Sequence, residues 1–278
     1  MGLCKAVYRR FGIQSIFKRI LKILKPQTHI FMKTKSILLT SSALLLAGSL
    51  SAAITSTNFM PKSPDNPWPW VSDDSAIGVV PAQNWNNINL DSNDGTEGLN
   101  LADGTASGAD FEDFRFANGA TQPAGAEDDD IEMMNSGGRI DLSFGTDQLF
   151  TVSNLPTDFT SNGYDVYLYF AEAAPDDIGG EFHVTIGSDQ QYIDVTDYSG
   201  SYALASGVQG SSTGNYLKFS GQSGSSFTAI AGPTDGTAQK YGYLAGMQVV
   251  AVPEPSLFAW ALGAGALVWV GIRRRRKA

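Results

Sequence analysis

The side chains that could do chemistry are unevenly distributed in this chain. Residues 54–252 hold 27 Asp and Glu against five basic residues, a net charge of −22, together with one histidine, His183. Glycoside hydrolysis needs two carboxylates roughly 5–9 Å apart, and among so many acids some such pair arises from abundance alone. Glu172, Asp176, Asp177 and Glu181 flank one loop and are the candidates that a secreted polysaccharide hydrolase would use. No G-x-S-x-G elbow accompanies them, and His183 sits in E-F-H-V-T-I, where alternation turns it away from Phe182 and Val184. The sole cysteine is Cys4, so residues 54–252 contain no disulfide, thiolate zinc ligand or cysteine nucleophile. No residue is assigned a catalytic role, and the chain reads as a non-enzyme.

Binding chemistry is better represented. Ca²⁺ takes hard oxygen ligands from loop Asp, Asn and carbonyl groups. Two stretches concentrate them, one with Asp91, Asn93 and Asp94, the other with Asp128, Asp129 and Asp130 between Glu127 and Glu132. A structural Ca²⁺ is the metal these loops suggest, and solvated surface charge is the alternative. The first loop is not an EF-hand, because Gly95 comes one position early and Ala102 stands where the bidentate Glu belongs. Sugar recognition would use an aromatic face beside amide side chains. Trp85 with Asn84, Asn86 and Asn87 is the predicted platform; Trp68, Trp70, Tyr167, Tyr169, Tyr198, Tyr241 and Tyr243 offer further rings. On strands such rings also serve core and cross-strand packing.

The elements that must position these groups are strands. Tyr164–Ala171 alternates Tyr164, Val166, Leu168 and Phe170 against Asp165, Tyr167 and Tyr169, and Glu181–Ile186 alternates likewise. Weaker runs lie at 139–144, 149–152, 191–195, 215–219, 226–230 and 244–250, with turn signals such as Asn162-Gly163 and Gly179-Gly180 between them. No repeat of about 40 residues is visible, which argues against a propeller. The expectation is an all-β, jelly-roll-like β-sandwich over residues 77–251. Residues 54–76, with prolines at 61, 64, 67 and 69, read as a linker or edge segment.

Both ends read as addresses. Residues 32–53 carry Lys33 and Lys35, an apolar run and small residues, a signal peptide cut between Ala53 and Ile54 by signal peptidase after passage through the Sec translocon. Residues 1–31 are basic and read as an extension ahead of a translation start at Met32. Pro253-Glu254-Pro255 is followed by the uncharged residues 257–272, about 24 Å of helix, and then by Arg273, Arg274, Arg275, Arg276 and Lys277. That helix is predicted to span a membrane with its basic end cytoplasmic.

Motif, apolar helix and basic terminus in this order resemble the PEP-CTERM sorting signal of Gram-negative bacteria. The resemblance implies recognition by exosortase, cleavage near the motif, and delivery to the cell surface or extracellular polymer matrix. Residues 78–87, 164–169, 214–219 and 246–250 in their order are similar to the uncharacterised sandwich domain found in many such proteins, whose strand pattern resembles carbohydrate-binding modules. The expected function is that of an exported, non-enzymatic surface or matrix protein, with a carbohydrate-binding module bound to extracellular polysaccharide as the alternative and a hydrolase as the second. The acidic body repels nucleic acid.

Overall fold

Thirteen strands form two sheets in the computed structural model, which describes residues 52–60, 71–89, 96–113, 129–134, 137–142, 145–171, 180–234 and 240–253. All of them belong to one unit, Leu50–Ala278. The first sheet contains β1 (Ile54–Met60), β2 (Asn86–Asn89), β5 (Gly138–Asp141), β7 (Tyr164–Ala171), β11 (Tyr216–Gln222) and β13 (Lys240–Ala251). The second contains β3 (Glu97–Asn100), β4 (Ala106–Asp113), β6 (Asp147–Ser153), β8 (Glu181–Ile186), β9 (Asp189–Val195), β10 (Thr213–Gly214) and β12 (Phe227–Pro233). Their orders are β11-β7-β13-β1-β2, with β5 also on β13, and β10-β9-β8-β12-β6-β4-β3. This is an all-β sandwich. Among the described residues two short helices, α1 (Asp129–Met134) and α2 (Thr157–Thr160), accompany it.

Alternation builds the layer between the sheets. Val166, Leu168 and Phe170 of β7 meet Phe182, Val184 and Ile186 of β8 in one buried cluster. Phe59, Phe111 and Phe150 join it, with ring centroids 5.3 and 5.4 Å apart along that series. Each such side chain contributes about 1.5–3 kcal/mol on burial. In β13 a bulge between Leu244 and Gly246 shifts the alternation, so that Leu244 and Met247, three residues apart, both face this core.

The other face of the first sheet is also covered. Tyr167, Tyr169 and Ala171 of β7 are buried against Val71, Ile77 and Trp85, with Met133 and Met134 of α1. Three layers therefore stand where two were expected: sheet, sheet, and a cover made from residues 71–85, α1 and the tyrosines near 200.

The expectation for residues 54–76 needs correction. Ile54–Met60 is neither linker nor edge: β1 lies between β13 and β2, and six of its seven residues are buried. Its polar residues Thr55, Ser56, Thr57 and Asn58 disguised it, since they are almost fully buried inside the fold. β2, β3 and β4 likewise escaped the pattern. Residues 1–51 and 254–278, with the expected signal peptide and C-terminal helix, lie outside the described residues. Among the described residues no helix is long and apolar enough to cross a membrane.

Candidate functional site

The predicted asparagine cluster lies where the two sheets part. β2 ends one sheet and β3 ends the other. Among the described residues no ladder joins them; the side chain of Asn86 does, by imitating a peptide unit. The backbone N–H of Asn100 donates to Asn86 Oδ1 (2.8 Å), while Asn86 Nδ2 donates to the carbonyls of Asn100 (3.0 Å) and Ser56 (2.8 Å). Thr55 Oγ1 donates to the same Asn100 carbonyl (2.8 Å). Asn87 works on the opposite side of β2: Oδ1 accepts from Val71 N–H (3.1 Å) and Asn58 Nδ2 (2.9 Å), and Nδ2 returns a bond to Val71 O (3.0 Å).

Over this junction opens a cleft of about 440 Å³, with Asp73, Asn84, Asn86, Glu97, Asn100 and Gly104 in its walls. Asn84 adopts the left-handed region, φ 53°, which asparagine tolerates better than most residues. Its N–H donates to Asp73 O (3.1 Å) and its Nδ2 to Ala102 O (2.8 Å), which fixes both ends of the side chain's frame.

Trp85 is not a stacking platform. It is 2% exposed, its Nε1 donates to Ala82 O (2.8 Å), and its ring packs 6.2 Å from that of Tyr169. The indole is itself part of the covering layer, packed with Val71, Ile77 and Tyr169, while the side chains of Asn84 and Asn86 line the cleft. Tyr167, Tyr169 and Tyr243 are also buried, Tyr198 is half-buried beside Tyr202, and Trp68, Trp70 and the side chain of Tyr241 lie outside the described residues.

A buried polar network anchors the covering layer. The hydroxyl of Tyr169 donates to Gln248 Oε1 and accepts from Val79 N–H (2.9 Å); Gln248 Nε2 donates to Val80 O (2.8 Å) and Ser56 Oγ (3.1 Å). Burial holds the Tyr169 phenol well above its ordinary pKa, so it remains a donor. Gly78, at φ +92°, leaves room: a Cβ there would lie 2.7 Å from Gln248 Oε1.

The acidic run serves the same layer. Asp129 Oδ2 accepts from Ser72 N–H (3.3 Å), and Asp130 Oδ1 accepts from Gly78 N–H (3.1 Å) and from the Tyr202 hydroxyl. Burial, then the charge of Asp129, raises the pKa of Glu132. Asp91, Asn93, Asp94 and Asp128 lie outside the described residues, among which no three His, Cys, Asp or Glu gather as a metal site would require.

Among the hydrolase candidates, Glu181 Oε1 accepts from Gly210 N–H (2.7 Å), while Glu172, Asp176 and Asp177 lie outside the described residues. His183 faces away from the core, with its ring 5.9 Å from that of Tyr192 and its pKa lowered by partial burial.

The two ends of the described fold meet. Ile54 pairs with Val250, and Ala251 N–H donates to Ala53 O (2.8 Å). Val252 N–H donates to Gly163 O (2.9 Å), and Pro253 is exposed one residue later. Glu254, Pro255 and the basic terminus are not among the described residues. Comparison with protein-family models, with curated proteins and with solved structures finds no match to this chain.

Proposed function

We propose that this chain is an exported, non-enzymatic cell-surface or extracellular-matrix protein whose body is a jelly-roll-like sandwich. A signal peptide at 32–53 sends it through the Sec translocon, the helix at 257–272 holds it, and exosortase processes it at Pro253-Glu254-Pro255. The meeting of the two ends supports this most directly. The bond between Ala53 and Ile54 is the one a signal peptidase would cut, and Ala53 O accepts from Ala251 N–H in the folded domain. Cutting there fits export from the N-terminus, since the partner strand β13 is made last. The motif, by contrast, begins at exposed Pro253, two residues past the end of β13, where an enzyme at the outer membrane face can reach it.

The test is replacement of Pro253, Glu254 and Pro255 by Ala in a host that encodes the exosortase. Membrane insertion should persist and a full-length membrane species should accumulate, whereas deletion of residues 257–278 should release the domain unprocessed. Cutting and distribution of the triple variant like the parent would reduce the tail to a plain anchor.

A further inference from the structure

We infer that the cleft between β2 and β3 is a binding site for a neutral sugar, held through its hydroxyl groups and not by ring stacking. Three groups in its walls have no side-chain hydrogen bond or ion pair among the described residues: the Asp73 carboxylate, Asn84 Oδ1 and the Asn100 side-chain amide. Asn84 is aimed. Its Nδ2 is tied to Ala102 O, and a Cβ on Gly104 would stand 3.4 Å from Asn84 Oδ1, so the glycine keeps that approach open. Among the described residues β2 and β3 are the end strands of their sheets, so the cleft lies at two sheet edges.

These groups select a ligand class. Acceptors predominate, and none of the described residues lining the cleft is basic, so the ligand must bring donors and no negative charge. A sugar carries hydroxyls spread around a ring and can reach acceptors that stand apart. The volume of about 440 Å³ suits a small ligand. This site is independent of the sorting reading; either can fail alone.

The experiment is calorimetric titration of the mature protein, recovered from its exporting host, with cellohexaose, maltohexaose and mannohexaose, and with an oligogalacturonate of equal length. At least one neutral hexasaccharide should saturate, and the oligogalacturonate should bind about tenfold more weakly or worse. Asp73 and Asn100 are exposed, so the Asp73→Ala/Asn100→Ala variant should keep its melting temperature while losing about tenfold in affinity. Asp73→Ala alone, measured beside it, should weaken binding in the same direction. The inference is overturned if no neutral hexasaccharide saturates, if the variants bind undiminished, or if the oligogalacturonate binds as tightly.

Discussion

Asn86 and Asn100 join the two sheets at their open edge, the side-chain amide of one closing on the backbone N–H and carbonyl of the other at 2.8 and 3.0 Å. A hydrophobic sandwich needs its two sheets held in register at the rim as well as at the core. Here the Asn86 amide shares that work with the Thr55 hydroxyl on Asn100 O and the Ala102 N–H on Ile54 O, and the same amide lines the cleft.

Replacing Asn86 by Ala removes those two bonds and the one to Ser56 O, at a cost of about 1–3 kcal/mol in denaturant unfolding. Asn86→Asp keeps an acceptor for Asn100 N–H but sets a carboxylate against two carbonyl oxygens. It should cost as much at pH 7 and recover as the pH falls and the carboxyl gains a proton to donate. Equal stability of Asn86→Ala and the parent would remove the amide from the account of sheet closure.

Tyr169→Phe leaves Gln248 Oε1 and Val79 N–H each short of a partner in the interior, and Gln248→Leu strips the same network from the other side. Each should cost about 1–3 kcal/mol. Because the two residues bond to each other, the double variant should cost less than the sum, with a coupling of about 0.5–3 kcal/mol by double-mutant cycle. Simple additivity would mean that the loop at 77–80 is held by other contacts.

Tyr164 behaves oppositely. Its side chain is fully buried, its hydroxyl has no hydrogen-bond partner among the described residues, and burial pushes its pKa from 10.0 up to about 12. The folded protein therefore keeps a proton that the unfolded chain sheds, and stability falls as the pH rises from about 10 to about 12. Tyr164→Phe should leave stability at pH 7 unchanged or raise it by about 1 kcal/mol, and should flatten that alkaline decline. Destabilisation by the substitution at pH 7 would point to a bond for this hydroxyl.

Gly232 and His183 occupy one space. A Cβ at Gly232 would lie 2.5 Å from Cε1 of the His183 ring, across a β12–β8 pair. Gly232→Ala should destabilise by about 1–3 kcal/mol, and His183→Ala in the same chain should restore most of it. The lowered pKa of His183 means that the unfolded chain binds its proton first as the pH falls. Below the ordinary histidine range stability should decline, and His183→Gln should lessen that decline in thermal melts.

β13 pairs with β1, β5 and β7, so the last strand completes the first sheet. A chain ended after Pro253 should melt like the full mature domain, while one ended after residue 239 should show no cooperative transition by circular dichroism. Processing that preserves the fold must then fall on the tail side of Val252, whose N–H is bonded to Gly163 O. Mass spectrometry of the mature terminus checks this directly.

Strands such as Tyr164–Ala171 and Glu181–Ile186 were legible from the residues alone, because alternation is a local record of two faces and both strands carry large apolar residues on one of them. The sparse basic residues and the absent thiols likewise bounded the chemistry without any coordinates. β1 was not legible: Thr55, Ser56 and Asn58 look like linker until Asn100, Gln248 and Asn87, 29 to 192 residues away, supply their hydrogen bonds. Trp85 failed as a platform for the same reason, since whether a ring on a strand faces water depends on what crosses above it. The residues around Trp85 promised amides beside an aromatic; only the tertiary structure decided that the aromatic is core and the amides form a cleft. Burial and hydrogen-bond satisfaction are properties of contacts between distant segments, and a window of neighbouring residues contains half of each contact.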